Sequence, residues 1–281
     1  MPSPVLPIEQ PAAATGDTSG YAIEFDKVCL AFDEKVVLNG ISFRLHHGET
    51  KALFGVAGSG KSLLLKLAMG LMRPDGGQIT VLGAEITSMT EQELFKLRSR
   101  VGIVFQESAL FDSMKVWENV AFRLMEEKVP FDEIERRVRE SLRFVELERT
   151  HDMFPSELSG GMRRRVAIAR AIISHPEVIL YDSPTGGLDP VTSNTIVELI
   201  MKQRDVYKTS ALLVTHRLQD AFTLASHEFD KKTNKMVPIP KGQRGEVAMS
   251  FLILRDGKII FDGDAHELAT SRDEYIREYI S

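Results

Sequence analysis

A glycine-rich stretch followed by lysine and serine is the strongest chemical signal in this chain. Residues 55–62 have the spacing Gly, four residues, Gly, Lys, Ser, which is typical of a loop that binds phosphate. Glycines let backbone N–H groups turn inward around phosphate oxygens, and Lys61 supplies a full positive charge. Ser62 offers a hydroxyl to Mg²⁺. The stretch therefore predicts a nucleotide-binding site.

Polar residues close several apolar runs that are typical of buried strands. These residues are Gln106, Asp182 and His216. In an α/β sheet the ligand lies beyond the carboxyl ends of the strands, so we expect these side chains to reach the nucleotide, Mg²⁺ or the attacking water. Asp182 matches the carboxylate that holds Mg²⁺, usually through water, in phosphate-loop enzymes. A structural glutamine and a capped core histidine remain the alternatives for the other two.

A second glycine pair suggests another anion site. Ser159 is typical of a helix cap, and Gly160 and Gly161 beside it leave N–H groups free to meet an anion. A strong helix follows over residues 163–174. A turn containing Asp189 begins a further helix over residues 191–204. One chain thus carries two potential phosphate sites.

The elements that position these residues alternate between strands and helices. Residues 51–54 form a strand before the phosphate loop and residues 63–69 a helix after it, while residues 23–32 and 36–45 predict antiparallel strands. Phe32 lies between those strands, where its face can stack on a base. Residues 107–124 and 131–145 are mostly helical by periodicity. Residues 226–247 predict a long exposed loop, and Asp256-Gly257 a hairpin turn.

The bulk properties are those of a globular protein. Of the 281 residues, 43% are hydrophobic and 27% charged, and the net charge is −5. This charge gives no support for binding nucleic acid through a general basic field, although a local basic patch stays open. No apolar run approaches the length of a membrane-spanning helix. Residues 1–20, rich in Pro, Ala, Ser, Thr and Gly, predict a disordered tail.

From about residue 23 onward, these motifs resemble, in order, the nucleotide-binding subunit of an ABC (ATP-binding cassette) transporter. The resemblance implies a cassette domain over residues 21–281. Its fold is an α/β phosphate-loop NTPase with a RecA-like core, an antiparallel β subdomain and an α-helical subdomain at about 107–175. It also implies ATP contacts through Phe32, Gly55, Gly58, Ser59, Gly60, Lys61, Ser62, Leu63, Gln106, Ser159, Gly160, Gly161, Asp182 and Asp189. The Mg²⁺ ligands implied are Ser62, Gln106 and Asp182.

The family resemblance also implies partners. Two cassettes close head to tail, so that Ser159, Gly160 and Gly161 of one copy cover the ATP held by Lys61 of the other. Met162 stands where most cassettes have Gln and is followed by Arg-rich helix residues, and residues 109–120 resemble the same region of the Mla-type ATPases, which energise MCE-associated phospholipid transport. That subgroup implies a membrane permease and a cytoplasmic, peripheral place at the inner membrane. Amino-acid and other importer cassettes share much of the pattern, and non-transport cassettes of DNA repair or translation are the rival class.

One position departs from the family pattern. A catalytic glutamate usually follows the aspartate that corresponds to Asp182, and here Ser183 stands there. A serine cannot act as a general base at neutral pH. Hydrolysis is then slow, depends on His216 and Gln106, or requires a partner, unless Ser183 is an engineered or lineage-specific change. A switch driven by ATP binding stays open as an alternative function.

Overall fold

The computed structural model describes residues 20–240, 245 and 247–280, so residues 1–19 of the expected tail lie outside it. The strands in this part are β1 (Tyr21–Phe32), β2 (Lys35–His46), β3 (Thr50–Phe54), β4 (Gly76–Val81), β5 (Ala84–Glu85), β6 (Val101–Val104), β7 (Val178–Asp182), β8 (Ser210–Val214), β9 (His227–Asp230), β10 (Lys235–Pro238), β11 (Met249–Arg255) and β12 (Lys258–Gly263). The helices are α1 (Lys61–Ala68), α2 (Glu91–Arg98), α3 (Val116–Glu126), α4 (Phe131–Phe144), α5 (Gly160–Ile172), α6 (Pro190–Tyr207), α7 (Leu218–Ser226), α8 (Ala265–Ala269) and α9 (Glu274–Ile280).

A six-stranded sheet forms the centre of the molecule, in the order β12-β11-β3-β8-β7-β6. All neighbours are parallel except the β11–β12 pair, which is an antiparallel hairpin around the Asp256-Gly257 turn, as the sequence predicts. Strands β3 and β8 are buried at every residue. Parallel strands covered on both faces need near-continuous apolar runs, which explains why the sequence shows no alternation there.

A second, antiparallel sheet packs on one face of the centre, in the order β2-β1-β4-β5. Its apolar side chains join those of α1 and α2 and one face of the central sheet in a single buried cluster. The stacked rings of Phe25 and Phe43, with centroids 4.7 Å apart, connect β1 to β2 in this cluster. The antiparallel strands expected from alternation in residues 23–45 are therefore confirmed.

Helices α3, α4 and α5 pack together with α6 over the other face of the sheet, in another buried cluster. Helices α3 to α5 lie within residues 107–175, the segment expected to be a helical subdomain. The helical prediction for residues 107–124 is wrong at its start, because α3 begins only at Val116. Ser108 and Ala109 have φ values of 64° and 47°, in the left-handed region that a right-handed helix excludes.

The long exposed loop expected over residues 226–247 is wrong for its first half. Residues 227–238 form the antiparallel hairpin β9–β10, which packs on α6 through Phe229. The turn at residues 231–234 carries two lysines, and the strands on either side of it are too short to show a clear alternation in the sequence. Residues 241–244 and 246 lie outside the described part. Among the helices that are described, none is long and apolar enough to cross a membrane.

Candidate functional site

The phosphate loop runs from the end of β3 to the start of α1. Gly55, Gly58 and Gly60 have φ values of 155°, 76° and 99°, conformations that other residues rarely adopt. At Gly60 a side chain would also meet Leu38 of β2, since an added Cβ would lie 3.0 Å from its Cδ2 atom. The carbonyl of Gly60 accepts hydrogen bonds from the Leu63 and Leu64 amides and starts α1. The loop therefore has the open backbone and the helix N-terminus that an anion needs.

Lys61 is the buried cation of this loop. Its Nζ donates hydrogen bonds of 2.8 Å to the carbonyls of Gly55 and Val56, and one of 3.4 Å to Ser59 Oγ. Burial lowers the pKa of Lys61, and attraction to Asp182 opposes this. A buried ammonium held only by neutral oxygens gains Coulomb energy when an anion replaces them. The lysine is thus arranged to receive a phosphate.

Ser62 and Asp182 bring two oxygen groups together beside the loop. The Ser62 hydroxyl donates a hydrogen bond of 3.0 Å to Asp182 Oδ1, although the residues are far apart in the chain. Asp182 is half-buried at the end of β7. Mg²⁺ prefers hard oxygen ligands and takes one or two carboxylates beside waters and substrate phosphates. The pair offers the hard oxygen donors that suit this ion.

The strand register explains why distant residues meet at one edge. Val214 of β8 is aligned with Leu53 of β3 on one side and with Asp182 of β7 on the other. The Thr215 amide then donates to the Leu53 carbonyl, which fixes the chain just before His216. His216 itself is exposed. Its position at the carboxyl edge is therefore set by backbone bonds.

Gln106 lies at the same edge, beyond β6, where Val104 is aligned with Tyr181. Its side chain is exposed, and its Cγ would lie 3.7 Å from a Cβ added at Gly186. In the described part of the chain, no hydrogen bond joins it to Ser62 or Asp182. The structure therefore brings Gln106 close to the turn after Asp182 but not onto the pair expected to hold Mg²⁺.

Ser183, at the position of the expected glutamate, is buried and has a φ of 45°. Its amide donates to the Val214 carbonyl at 2.8 Å, and its carbonyl accepts from the Gly186 amide at 2.9 Å. These bonds hold a left-handed turn directly after β7. The turn places a hydroxyl, and no carboxylate, beside Asp182.

Arg164 connects this turn to Gln106. The residue is 4% exposed; its Nη1 donates to the Ser183 carbonyl at 3.1 Å, and its Nη2 donates to the Gln106 carbonyl. Burial lowers the pKa of Arg164, while Glu107 and Asp182 raise it. Farther along α5, Arg170 donates to the carbonyls of Ser108 and Ala109. Helix α5 thus binds the chain after β6 through the buried Arg164 and the partly buried Arg170.

The second predicted anion site is a separate surface. Ser159 caps α5 by accepting a 3.2 Å hydrogen bond from the Met162 amide, as expected. A Cβ added at Gly161 would clash with the methyl group of Thr192 on α6, so only glycine fits. Asp189 caps α6 by accepting from the Val191 and Thr192 amides at 3.0 Å. In the described residues, no hydrogen bond connects this surface to the phosphate loop.

Phe32 ends β1, and its side chain is 46% exposed. The hairpin that carries it borders the phosphate loop, because Val37 and Leu38 of β2 lie against Gly60. An exposed aromatic face at this border is suited to stacking on a flat ring.

Three further side chains contact these segments, and the sequence spacing predicts none of these contacts. They belong to Arg164, Arg170 and Tyr279. The Tyr279 hydroxyl accepts a hydrogen bond of 3.2 Å from the Gly55 amide. All three side chains bind backbone groups, and a backbone partner leaves no trace in the residue types. The arginines stand out in the sequence only as positive charges within an apolar helix.

A protein-family model described as ABC transporter matches residues 38–186 of this chain. The chain is similar, at 36% identity over 93% of its length and 74% of the relative, to "Protein TRIGALACTOSYLDIACYLGLYCEROL 3, chloroplastic" of Arabidopsis thaliana. It is 34% identical over 86% of its length and 66% of the relative to "Methionine import ATP-binding protein MetN 2" of Bacillus anthracis. It is 38% identical over 76% of its length and 60% of the relative to "Probable ribonucleotide transport ATP-binding protein mkl" of Mycobacterium tuberculosis. The chain thus spans three fifths to three quarters of these relatives.

Solved structures show the same fold. The dimeric, post-hydrolysis state of the ATP-binding cassette MJ0796 bound to ADP and Pi has a TM-score of 0.72 at 27% identity, and covers 86% of this chain and 98% of that one. The cbiO1 structure from Clostridium perfringens, part of the ABC transporter complex cbiONQ, has a TM-score of 0.74 at 26% identity, and covers 92% and 94%.

Proposed function

Because this chain belongs to the ABC transporter family and is an ATP-binding cassette of that family, we propose that it hydrolyses Mg·ATP in a head-to-tail homodimer. The two ATP molecules lie between the copies. Closure and reopening of the two cassette copies drive a membrane permease from its cytoplasmic face, at the inner membrane. We assign lipid, and phospholipid in particular, as the cargo class.

The observation that carries the proposal is the Ser62–Asp182 hydrogen bond beside buried Lys61. Lys61 and the inward N–H groups of the loop bind the phosphates, and Ser62 and Asp182 hold Mg²⁺. When bound, Mg²⁺ neutralises charge that develops on the phosphate oxygens. Phe32 stacks on the base, and the Leu63 amide belongs to the helix N-terminus that faces the anion.

Hydrolysis needs a group that orients the attacking water. Ser183 cannot take its proton, so we assign the orientation of water to His216 and Gln106, which lie at the same edge. The Gln106 amide is not a base, and the His216 imidazole is exposed to solvent rather than enclosed with the attacking water. We therefore expect slow turnover by the chain alone.

The dimer accounts for the separate anion surface. No hydrogen bond joins Ser159, Gly160 and Gly161 to the phosphate loop of their own chain in the described residues, and in our proposal they cover the ATP of the other copy, with Asp189 beside them. A related cassette has been solved as a dimer bound to ADP and Pi, which supports this arrangement.

The cargo and the permease rest on resemblance. The plant relative is named for a galactolipid, and residues 109–120 resemble the same region of Mla-type cassettes, which supports an MCE-type lipid permease. The bacterial relative named for methionine import favours a second candidate, an importer cassette for another cargo. We place the permease contact on residues 106–124, where Phe111 is 42% exposed. The net charge of −5 speaks against nucleic acid as a partner.

The experiment is Mg·ATP hydrolysis by the purified chain, alone and with its co-purifying membrane partner, beside ATP affinity. Turnover that Lys61→Ala abolishes supports the proposal. Tight binding without turnover in either setting favours an ATP-binding switch. Absence of ATP binding contradicts both. Mass spectrometry of the purified transporter complex then tests the cargo, since bound phospholipid is expected and bound amino acid favours the importer.

A further inference from the structure

The C-terminal helix α9 reaches the base of the phosphate loop. The backbone N–H of Gly55 donates a hydrogen bond of 3.2 Å to the Tyr279 hydroxyl oxygen. Gly55 directly follows β3, whose last residue, Phe54, is aligned with Ile253 of β11. Tyr279 therefore supplies an acceptor just where pairing in the sheet stops, so that the strand end stays satisfied.

Helix α9 is held against the core and is not a loose end. Ile276 is 2% exposed and belongs to the same apolar cluster as Phe54. The rings of Tyr275 and Tyr279 stack with centroids 6.0 Å apart, as residues four positions apart on a helix can. The Arg255 guanidinium lies 4.0 Å from the centroid of the Tyr275 ring. This packing fixes the place of the Tyr279 hydroxyl.

Gly55 connects that hydroxyl to the lysine of the site. Its amide bonds Tyr279, while its carbonyl accepts the 2.8 Å hydrogen bond from Lys61 Nζ. A Cβ at Gly55 would clash with the Leu254 carbonyl, so this residue has no side chain through which to be held. Its conformation depends on the bonds of its backbone groups.

We propose that Tyr279 is a positioning residue of the nucleotide site, whose hydroxyl fixes the Gly55 peptide and preorders the loop that receives the phosphates. The inference rests on the proposed ATP-binding function and deepens it, because it makes α9 part of the ATP site. A loop that is already held loses less conformational freedom when its ligand binds. The bond therefore acts on ATP affinity more than on the chemical step.

Replacement of Tyr279 by Phe removes the hydroxyl and keeps the ring stack. Tyr275→Phe is the matched control, because the Tyr275 hydroxyl is buried without a hydrogen-bond partner in the described structure. We expect the dissociation constant for Mg·ATP, measured by calorimetry on the full chain, to rise about fivefold in Tyr279→Phe, the usual effect of one neutral hydrogen bond. KM should rise with it, kcat should stay within about twofold, and the control should match the wild type.

Amide hydrogen exchange without nucleotide gives an independent measurement. In protein labelled with ¹⁵N-glycine, the Gly55 amide should exchange faster in Tyr279→Phe, while Gly102, buried in β6, should be unchanged. Unchanged affinity or unchanged Gly55 exchange overturns the proposal. Equal losses in both tyrosine variants assign the effect to ring packing and also overturn it. Wild-type protein that binds no ATP overturns the proposed function, whereas the exchange experiment still decides the Tyr279–Gly55 contact.

Discussion

Replacement of Ser183 by Glu tests whether this cassette lacks its general base. The substitution puts a carboxylate directly after Asp182, at the end of β7. Room exists on one side, because Gly186 has no side chain and a Cβ there would lie 3.5 Å from the Ser183 Cβ. The Arg164 guanidinium, which donates to the Ser183 carbonyl, offsets the repulsion from Asp182. We expect the new carboxylate to be ionised at neutral pH.

A positioned general base contributes about 10²-fold to 10⁴-fold to a rate. The added charge is buried beside Asp182, and Gln106 and His216 already orient water in our proposal, so we expect the lower end. An increase in kcat of about 100-fold corresponds to a barrier lower by about 2.7 kcal/mol. ATP affinity should change little, because Lys61, Ser62 and Asp182 are untouched.

The assay is phosphate release at saturating Mg·ATP, with ATP affinity measured in parallel. Ser183→Gln is the matched control, since it has the same length as glutamate and no basic oxygen of similar strength. We expect kcat to be highest with Glu at position 183, and to be lower and similar with Ser and Gln. If Ser183→Glu is no faster than Ser183→Gln while ATP affinity is intact, a missing base does not limit turnover and the limiting step lies elsewhere.

The remaining predictions concern contacts around the site. In Arg164→Lys the buried cation loses at least one hydrogen bond, so the free energy of unfolding in urea should fall by about 2–4 kcal/mol and kcat should fall more than KM rises. The control is the same substitution at the exposed Arg163. An unchanged kcat would leave Arg164 a purely structural role. Gly161→Ala should lower the melting temperature through its clash with Thr192, and Thr192→Ser, which removes only the methyl group, should restore most of the loss; failure of this rescue in a double-mutant cycle would contradict the contact. Phe111→Asp should prevent co-purification of the permease while ATP hydrolysis by the chain alone persists, and intact permease binding would place the contact elsewhere.

The sequence predicted the central part of the site because its signals are local. Residues 51–62 carry a strand, a glycine loop and a helix without a gap, and the apolar runs before Asp182 and His216 are long enough to be strands. The rule that ligands lie beyond the carboxyl ends of parallel strands then brought these ends together, and the register of β3, β8 and β7 agrees.

The remainder depends on long-range contacts that no periodicity reports. Arg164 and Tyr279 bind backbone groups, so no complementary residue type marks their partners. Helical periodicity continues through Ser108 and Ala109, yet both residues have a left-handed backbone in the structure. Their carbonyls accept hydrogen bonds from the Arg170 side chain, a contact that periodicity cannot report. The short strands β9 and β10 were missed because a charged turn separates them and tertiary packing on α6 decides their conformation.

The bonds from α5 to the chain after β6 reach only main-chain oxygens, those of Gln106, Ser108 and Ala109. Anchoring of this kind uses no side chain of the segment, so exposed side chains farther along it, such as those of Asp112 and Ser113, are not part of the anchor. We therefore expect substitutions at these exposed positions to leave the backbone path unchanged. The segment can thus present different side chains to a partner while the same backbone contacts with α5 are kept.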